Sequence, residues 1–161
     1  MTNDLQSLNI VPLSQPFSIA PFNYSGIESV SNFNFQASVC DWVLVDILDT
    51  TNNLILRKAA LLKTNGHLLD VSNVGVDIGL EGIKIDNVTA ASSFKVIVRH
   101  RNHLALSTLP NVVISPGQRT NLDLSVSQNI LSNSQIEVTT NIFGLRKGNT
   151  DSNEKIGRAH V

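Results

Sequence analysis

Cysteine, tryptophan, tyrosine and methionine each occur once in the 161 residues, and aromatic residues make up only 5% of them. The lone cysteine, Cys40, excludes an intrachain disulfide. It leaves the compartment open, since reduced interiors and disulfide-free surface domains both fit. A glycan-binding face needs exposed aromatics, and Trp42 and Tyr24 are the candidates here. Charge is scarce as well. Charged residues are 16% of the chain and the net charge is −1. That leaves no basic footprint for nucleic acid or an anionic membrane. No apolar run reaches the roughly 18 residues that cross a bilayer. Met1 to Asn9 has neither a basic nor an apolar segment, so it does not read as a signal peptide. There is no Gly-x-Ser-x-Gly elbow, and Gly75, Gly79 and Gly82 lack the strand-to-helix setting of a phosphate loop.

What is present is a core. Hydrophobic residues are 42% of the chain and the mean hydropathy is +0.07, which excludes a wholly disordered polymer. The polar remainder is Asn, Ser and Thr, which favour turns and strands over helices. Residues 1–39, with Pro12, Pro16 and Pro21, read as extended chain. Ile10, Phe17, Phe22 and Tyr24 predict that this segment is pinned on a neighbouring surface. From residue 40 the signals are β. Asp41 to Asp49 is apolar on both faces, as a central or sandwich strand is. Leu54 to Lys63 follows; its Leu56–Leu62 stretch has helix-like spacing, but it runs straight into the Asn65-Gly66 hairpin signal. His67–Val71, Ile83–Asp86, Ser93–His100, Val112–Ile114 and Thr120–Val126 complete the predicted set. Ile136–Thr139 reads as a further strand, and Ile142–Leu145 as a helical turn or an edge strand. About seven short strands with turn signals every 8–12 residues predict an all-β fold, an Ig-like or transthyretin-like β-sandwich with an extended N-terminal segment. Its predicted core includes Trp42, Leu44, Val96, Val98, Leu122 and Leu124.

The densest polar cluster is Arg99-His100-Arg101-Asn102-His103-Leu104. His100 and His103 are an odd number apart, so they project to opposite strand faces unless the chain bends between them. No Cys, Asp or Glu lies nearby in sequence to complete a metal shell. The cluster therefore reads as a strand end, with Arg99 and Arg101 on one face as candidates, alongside His100 and His103, for binding an anion or glycan. Serines are plentiful enough for chance proximity to His67, His100 or His103, and no triad motif joins them, so no enzyme is predicted. Cys40 reads as a buried thiol. Asn23-Tyr24-Ser25 and Asn87-Val88-Thr89 match the N-glycosylation sequon, as expected by chance in an Asn-rich chain. Near the end, Asn149, Asp151 and Asn153 stand at the first, third and fifth positions of a calcium loop. Glu154 replaces the glycine such a loop needs next, and the twelfth position, where the bidentate glutamate belongs, is His160. No cofactor is expected in this chain, and calcium only in a longer one.

Two stretches carry a resemblance. Pro16-Phe17-Ser18-Ile19-Ala20-Pro21-Phe22-Asn23-Tyr24-Ser25-Gly26 with Asp41-Trp42-Val43-Leu44-Val45-Asp46-Ile47 is one. Ala59-Ala60-Leu61-Leu62 with Asn65-Gly66, then Phe94-Lys95-Val96-Ile97-Val98-Arg99-His100-Arg101-Asn102-His103-Leu104, is the other. Together they resemble a module found near the C-terminal end of large secreted Bacteroidota proteins, whose members read like "APWNYxGTE", "VDWVLVELRD", "RxALLxxDG" and "YYVxVRHRNHL". The resemblance covers roughly residues 10–126, with Phe22 where Trp is usual. It implies an extracellular β-sandwich without catalytic role, in proteins that often carry a type IX secretion sorting signal or a dockerin-like calcium repeat. Ile142–Asn149 is similar to the stretch that opens such a repeat.

Ile156-Gly157-Arg158-Ala159-His160-Val161 is what a common short-read sequencing adapter encodes in one frame. The expected organisation is an N-terminal segment over 1–39, a sandwich over 40–126, a partial following element over 127–155, and an artificial end over 156–161 of a metagenomic fragment. The expected function is a non-catalytic structural or adhesion module of a secreted or surface-attached protein. The alternatives are a carbohydrate-binding module or a truncated calcium-dependent interaction unit. The expected partners are neighbouring domains of the same chain and a surface glycan or protein, with no nucleic acid and no membrane span.

Overall fold

A computed structural model describes residues 4–33, 38–71, 80–86, 88–131, 135–139 and 142–145. The chain is all-β, as the turn spacing predicts. After a four-residue helix α1 (Asp4–Ser7) come β1 (Val39–Leu48), β2 (Leu54–Lys63), β3 (Leu68–Asp70), β4 (Leu80–Glu81), β5 (Ser92–His100), β6 (His103–Ser107) and β7 (Val112–Ile114). These form one antiparallel sheet in the order β4-β3-β2-β1-β5-β6, with β7 paired to the start of β5. A separate hairpin joins β8 (Gln135–Thr139) to β9 (Ile142–Leu145). The Leu56–Leu62 stretch is strand, turning back at Asn65-Gly66, where Gly66 takes φ 84°.

β1 is central because it is apolar on both faces. Trp42 and Leu44 join Ala59, Leu61 and Leu69 in one core, and Val43, Val45 and Ile47 join Ala60, Phe94, Val96 and Val98 in another on the opposite face. A bulge at Cys40 adjusts this alternation. Val39 pairs with Lys63 and Asp41 with Leu62, so one residue of β1 is extra. The extra residue puts Val39 on the same face as Trp42, although the two are an odd number apart.

The N-terminal segment covers the Trp42 face. It folds back on itself through a Ser14–Ser29 bridge and main-chain bonds from Gln15 to Glu28 and from Tyr24 to Phe17. The buried Gln15 side chain ties the two legs, donating to the Gly26 carbonyl (2.8 Å) and accepting from the Phe17 amide (2.6 Å). Phe17 is fully buried and meets Phe22 edge to face, with ring centroids 5.0 Å apart. The Trp42 indole donates to the Pro12 carbonyl at 2.7 Å. A Cβ at Gly26 would overlap the Tyr24 ring and the Glu28 carboxylate, so a larger residue there would have to displace both side chains. The pinning predicted for this segment holds for Phe17, Phe22 and Tyr24, while Ile10 is 53% exposed.

Other expectations change. β6 was not predicted, whereas Ile83–Asp86 and Thr120–Val126 are not strands. In both places side chains take over the backbone groups that pairing would use. Asp70 accepts the Lys84 amide at 3.0 Å. Asp123 accepts both the amide and the hydroxyl of Ser125. Leu122 and Leu124 still pack, partly buried, on the Val43 face. Thr108, fully buried, ends β6: its hydroxyl accepts the Val96 amide (2.9 Å) and donates to the Leu109 carbonyl (2.8 Å). Gly75, Gly79, Asn87 and residues 146–161 lie outside the described residues.

If the N-terminal segment is part of the core, Phe17→Ala destabilises the fold by about 3–5 kcal/mol. The neighbouring Ile19→Ala, at 71% exposure, changes it by less than about 0.5 kcal/mol. Urea unfolding followed by Trp42 fluorescence measures both, and equal effects would contradict the assignment.

Candidate functional site at the β5–β6 turn

The Arg99–Leu104 block is a hairpin. His100 pairs directly with His103, and Arg101-Asn102 is the two-residue turn between them. The odd spacing therefore does not separate the histidines: the chain bends, and their rings meet with centroids 4.6 Å apart. Nor are they without a carboxylate. Asp41, which is 59 residues away along the chain, reaches His100 Nε2 from β1 at 3.1 Å.

Asp41 is buried. It also accepts two bonds from Arg101, from Nε at 3.0 Å and Nη2 at 3.1 Å, and one from the Trp42 amide. Burial works to raise the Asp41 pKa; the bonds from His100, Trp42 and Arg101 outweigh it and hold the carboxyl below the ordinary range. On the other side of the His100 ring, Nδ1 lies 3.1 Å from the Asn102 amide and 2.8 Å from His103 Nδ1. A backbone N–H can only donate, so His100 Nδ1 is an acceptor and the ring proton sits on Nε2, facing Asp41. His103 then donates from Nδ1. The result is a file of groups, Asp41–His100–His103, running from the buried sheet to an exposed ring. Burial, and then the neighbouring His100, push the His103 pKa down.

Arg99 and Arg101 do not share a face. Arg99 Nε bonds Asp46 at 2.9 Å on the Trp42 face. Asp46 also takes a two-pronged bond from Arg57, at 2.6 and 2.8 Å. Both guanidiniums remain about one-third exposed around an Asp46 side chain that is 2% exposed. Burial again opposes ionisation of Asp46, and the Arg57 and Arg99 bonds win, lowering its pKa. A third buried carboxylate, Asp70, holds Lys58 Nζ at 2.7 Å. Each arginine singled out for anion or glycan binding is thus joined to its own internal carboxylate.

Trp42 is fully buried, and Cys40 is buried with its thiol pKa raised by desolvation. The calcium-loop candidates Asn149, Asp151 and Asn153 lie outside the described residues. Among the described residues, no group of three or more His, Cys, Asp or Glu side chains is placed to hold a metal. Among them, too, no helix is long and apolar enough to cross a membrane. Sequence reasoning missed Asp41, Asp46 and Arg57. Their signal was available: a strand apolar on both faces that still carries two carboxylates requires cations on its neighbours. No family model, curated protein or solved structure matches this chain.

Asp46→Asn removes the charge that two arginines share. It should cost about 3 kcal/mol, the low end for a broken buried pair because both guanidiniums still reach water. A carboxyl whose folded pKa lies below the unfolded value of about 3.9 contributes stability that is complete above that value and lost as pH falls through the folded pKa. Wild-type stability should therefore fall on acidification below about pH 4, and less steeply in Asp46→Asn. Urea midpoints measured between neutral and acid pH test both effects, and parallel curves would remove Asp46 from the account.

Proposed function

We propose that this chain is a non-catalytic module of a secreted or cell-surface bacterial protein, serving as a structural spacer or adhesive unit beside neighbouring domains of the same polypeptide. The observation that supports this reading is where the polar chemistry goes. Asp41, Asp46 and Asp70, with the cations that meet them, knit β1, β2, β3 and β5 together. That investment serves rigidity, and loop ends and turn tips are left as the surface for partners. Carbohydrate recognition is disfavoured by the burial of Trp42, and by Tyr24, whose hydroxyl is bonded to Glu28. The apolar side chains on both sheet faces support the finer reading of an Ig-like or transthyretin-like sandwich. The resemblance to modules of type IX secretion cargo supports the extracellular placement, by analogy.

Probing fractions of cells that carry this sequence with an antibody against the chain tests the proposal. The expected signal is at the outer surface or in the medium. A protein confined to the cytosol would overturn it.

A further inference from the structure

We propose that the β2–β3 turn is a self-modifying site, in which the main-chain nitrogen of Gly66 attacks the side-chain amide of Asn65 and converts it, with water as the only co-reactant, to isoaspartate and aspartate. Asn65-Gly66 is the chain's one Asn-Gly pair. Both residues are exposed at the tip of the hairpin. Glycine carries no side chain to obstruct its own nitrogen, so the ring-closing atoms meet freely. The other exposed turn asparagines have bulkier followers: Tyr24 follows Asn23, Asn53 follows Asn52 and His103 follows Asn102.

The second argument is the hydrogen bonding of the turn. The His67 amide donates to Asn65 Oδ1 at 3.0 Å. That bond folds the side chain back over the Gly66 main chain, which spares part of the entropy of closing the ring. The same oxygen is where negative charge develops when Gly66 N adds to Asn65 Cγ, so the donor stabilises the tetrahedral intermediate as an oxyanion hole does. One contact works the other way: the Gly66 N–H donates to the Lys63 carbonyl at 2.9 Å, and this bond must be released first. The Gly66 N–Cγ bond then forms as the amide proton passes to a base in the solvent. The Cγ–Nδ2 bond breaks, ammonia leaves, and a succinimide remains. Water opens that ring. Breaking the Gly66 N–Cγ bond gives aspartate; breaking the bond from Gly66 N to the main-chain carbonyl carbon gives isoaspartate, with the chain routed through the former side chain. Either product places a carboxylate between Lys63 and His67, whose side chains both meet Glu81, at 2.9 and 3.5 Å. The new charge competes with Glu81 for these partners, so the modification reaches β4 through the turn.

The test uses the chain of all 161 residues, held in mildly alkaline buffer, with Trp42 fluorescence reporting that it stays folded. Peptide mapping by mass spectrometry with electron-transfer fragmentation follows each asparagine and tells isoaspartate from aspartate. Asn65 should gain the mass of an NH2-to-OH exchange before Asn23, Asn52 and Asn102 do, with isoaspartate among the products. Its conversion should speed up as pH rises, because Gly66 N must lose its proton. Asn65→Gln should lose the reaction, since the longer side chain has to close a larger ring. A synthetic peptide of residues 61–69 sets the timescale. A folded chain still unmodified at Asn65 when that peptide has been consumed, conversion that begins at Asn23, Asn52 or Asn102, or a rate indifferent to pH would overturn the site.

Discussion

β1 is buried along both faces yet carries two carboxylates, Asp41 and Asp46, that point to opposite sides of the sheet. An unpaired buried charge costs several kcal/mol, so each face must bring cations to a defined point. β2 supplies Arg57 directly opposite Asp46, and β5 with its turn supplies Arg99, His100 and Arg101. These requirements specify register more sharply than the apolar pattern does. Slipping β2 by one residue would exchange Arg57 for Leu56 or Lys58 beside Asp46 and turn Ala59 and Leu61 away from the Trp42 core. The ion pairs are thus better understood as devices that select one pairing than as a source of net stability, since a buried pair gains little over apolar packing.

A central strand buried twice also demands two covers. The Val43 side is closed by β7 and by partly buried residues such as Ile83, Ile85, Leu122 and Leu124. The Trp42 side is closed by the N-terminal segment, whose described residues before β1 have no regular pairing with the sheet and must satisfy their own backbone. It does so through the Gln15 side chain, the Ser14–Ser29 bridge and the Trp42–Pro12 bond. Glu28 is the cost of this arrangement: it is buried, takes the Tyr24 hydroxyl, and leaves Oε2 without a hydrogen-bond partner. The bulge at Cys40 belongs to the same solution, because it delivers Val39 to the covered side together with Trp42.

What could be read from the sequence followed period and turn chemistry. The bounds of β2, the Asn65-Gly66 turn and the alternation of Phe94, Val96 and Val98 were all legible, because each is a local property of the chain. β6 was not, since Arg101-Asn102 is a weak turn signal and the block from Arg99 to Leu104 looks like one continuing strand end. Ile83–Asp86 and Thr120–Val126 alternate as strands do, but Asp70 and Asp123 take the amides that pairing would need. The candidate site was legible as a list of residues and illegible as an arrangement. Its key member, Asp41, comes from a strand whose proximity to His100 is set by long-range pairing.

That pairing is what fixes the histidines of the turn in one tautomer and one orientation. A histidine pair on an ordinary hairpin samples both tautomers and many ring angles. Here the carboxylate that β1 must neutralise grips one edge of His100, and the Asn102 amide defines the other edge as a lone pair. His103 is then met by an acceptor of settled orientation at 2.8 Å. Charge neutralisation and ring orientation are the same feature in this turn, because the bond that relieves the buried Asp41 charge also decides which His100 nitrogen accepts from the turn.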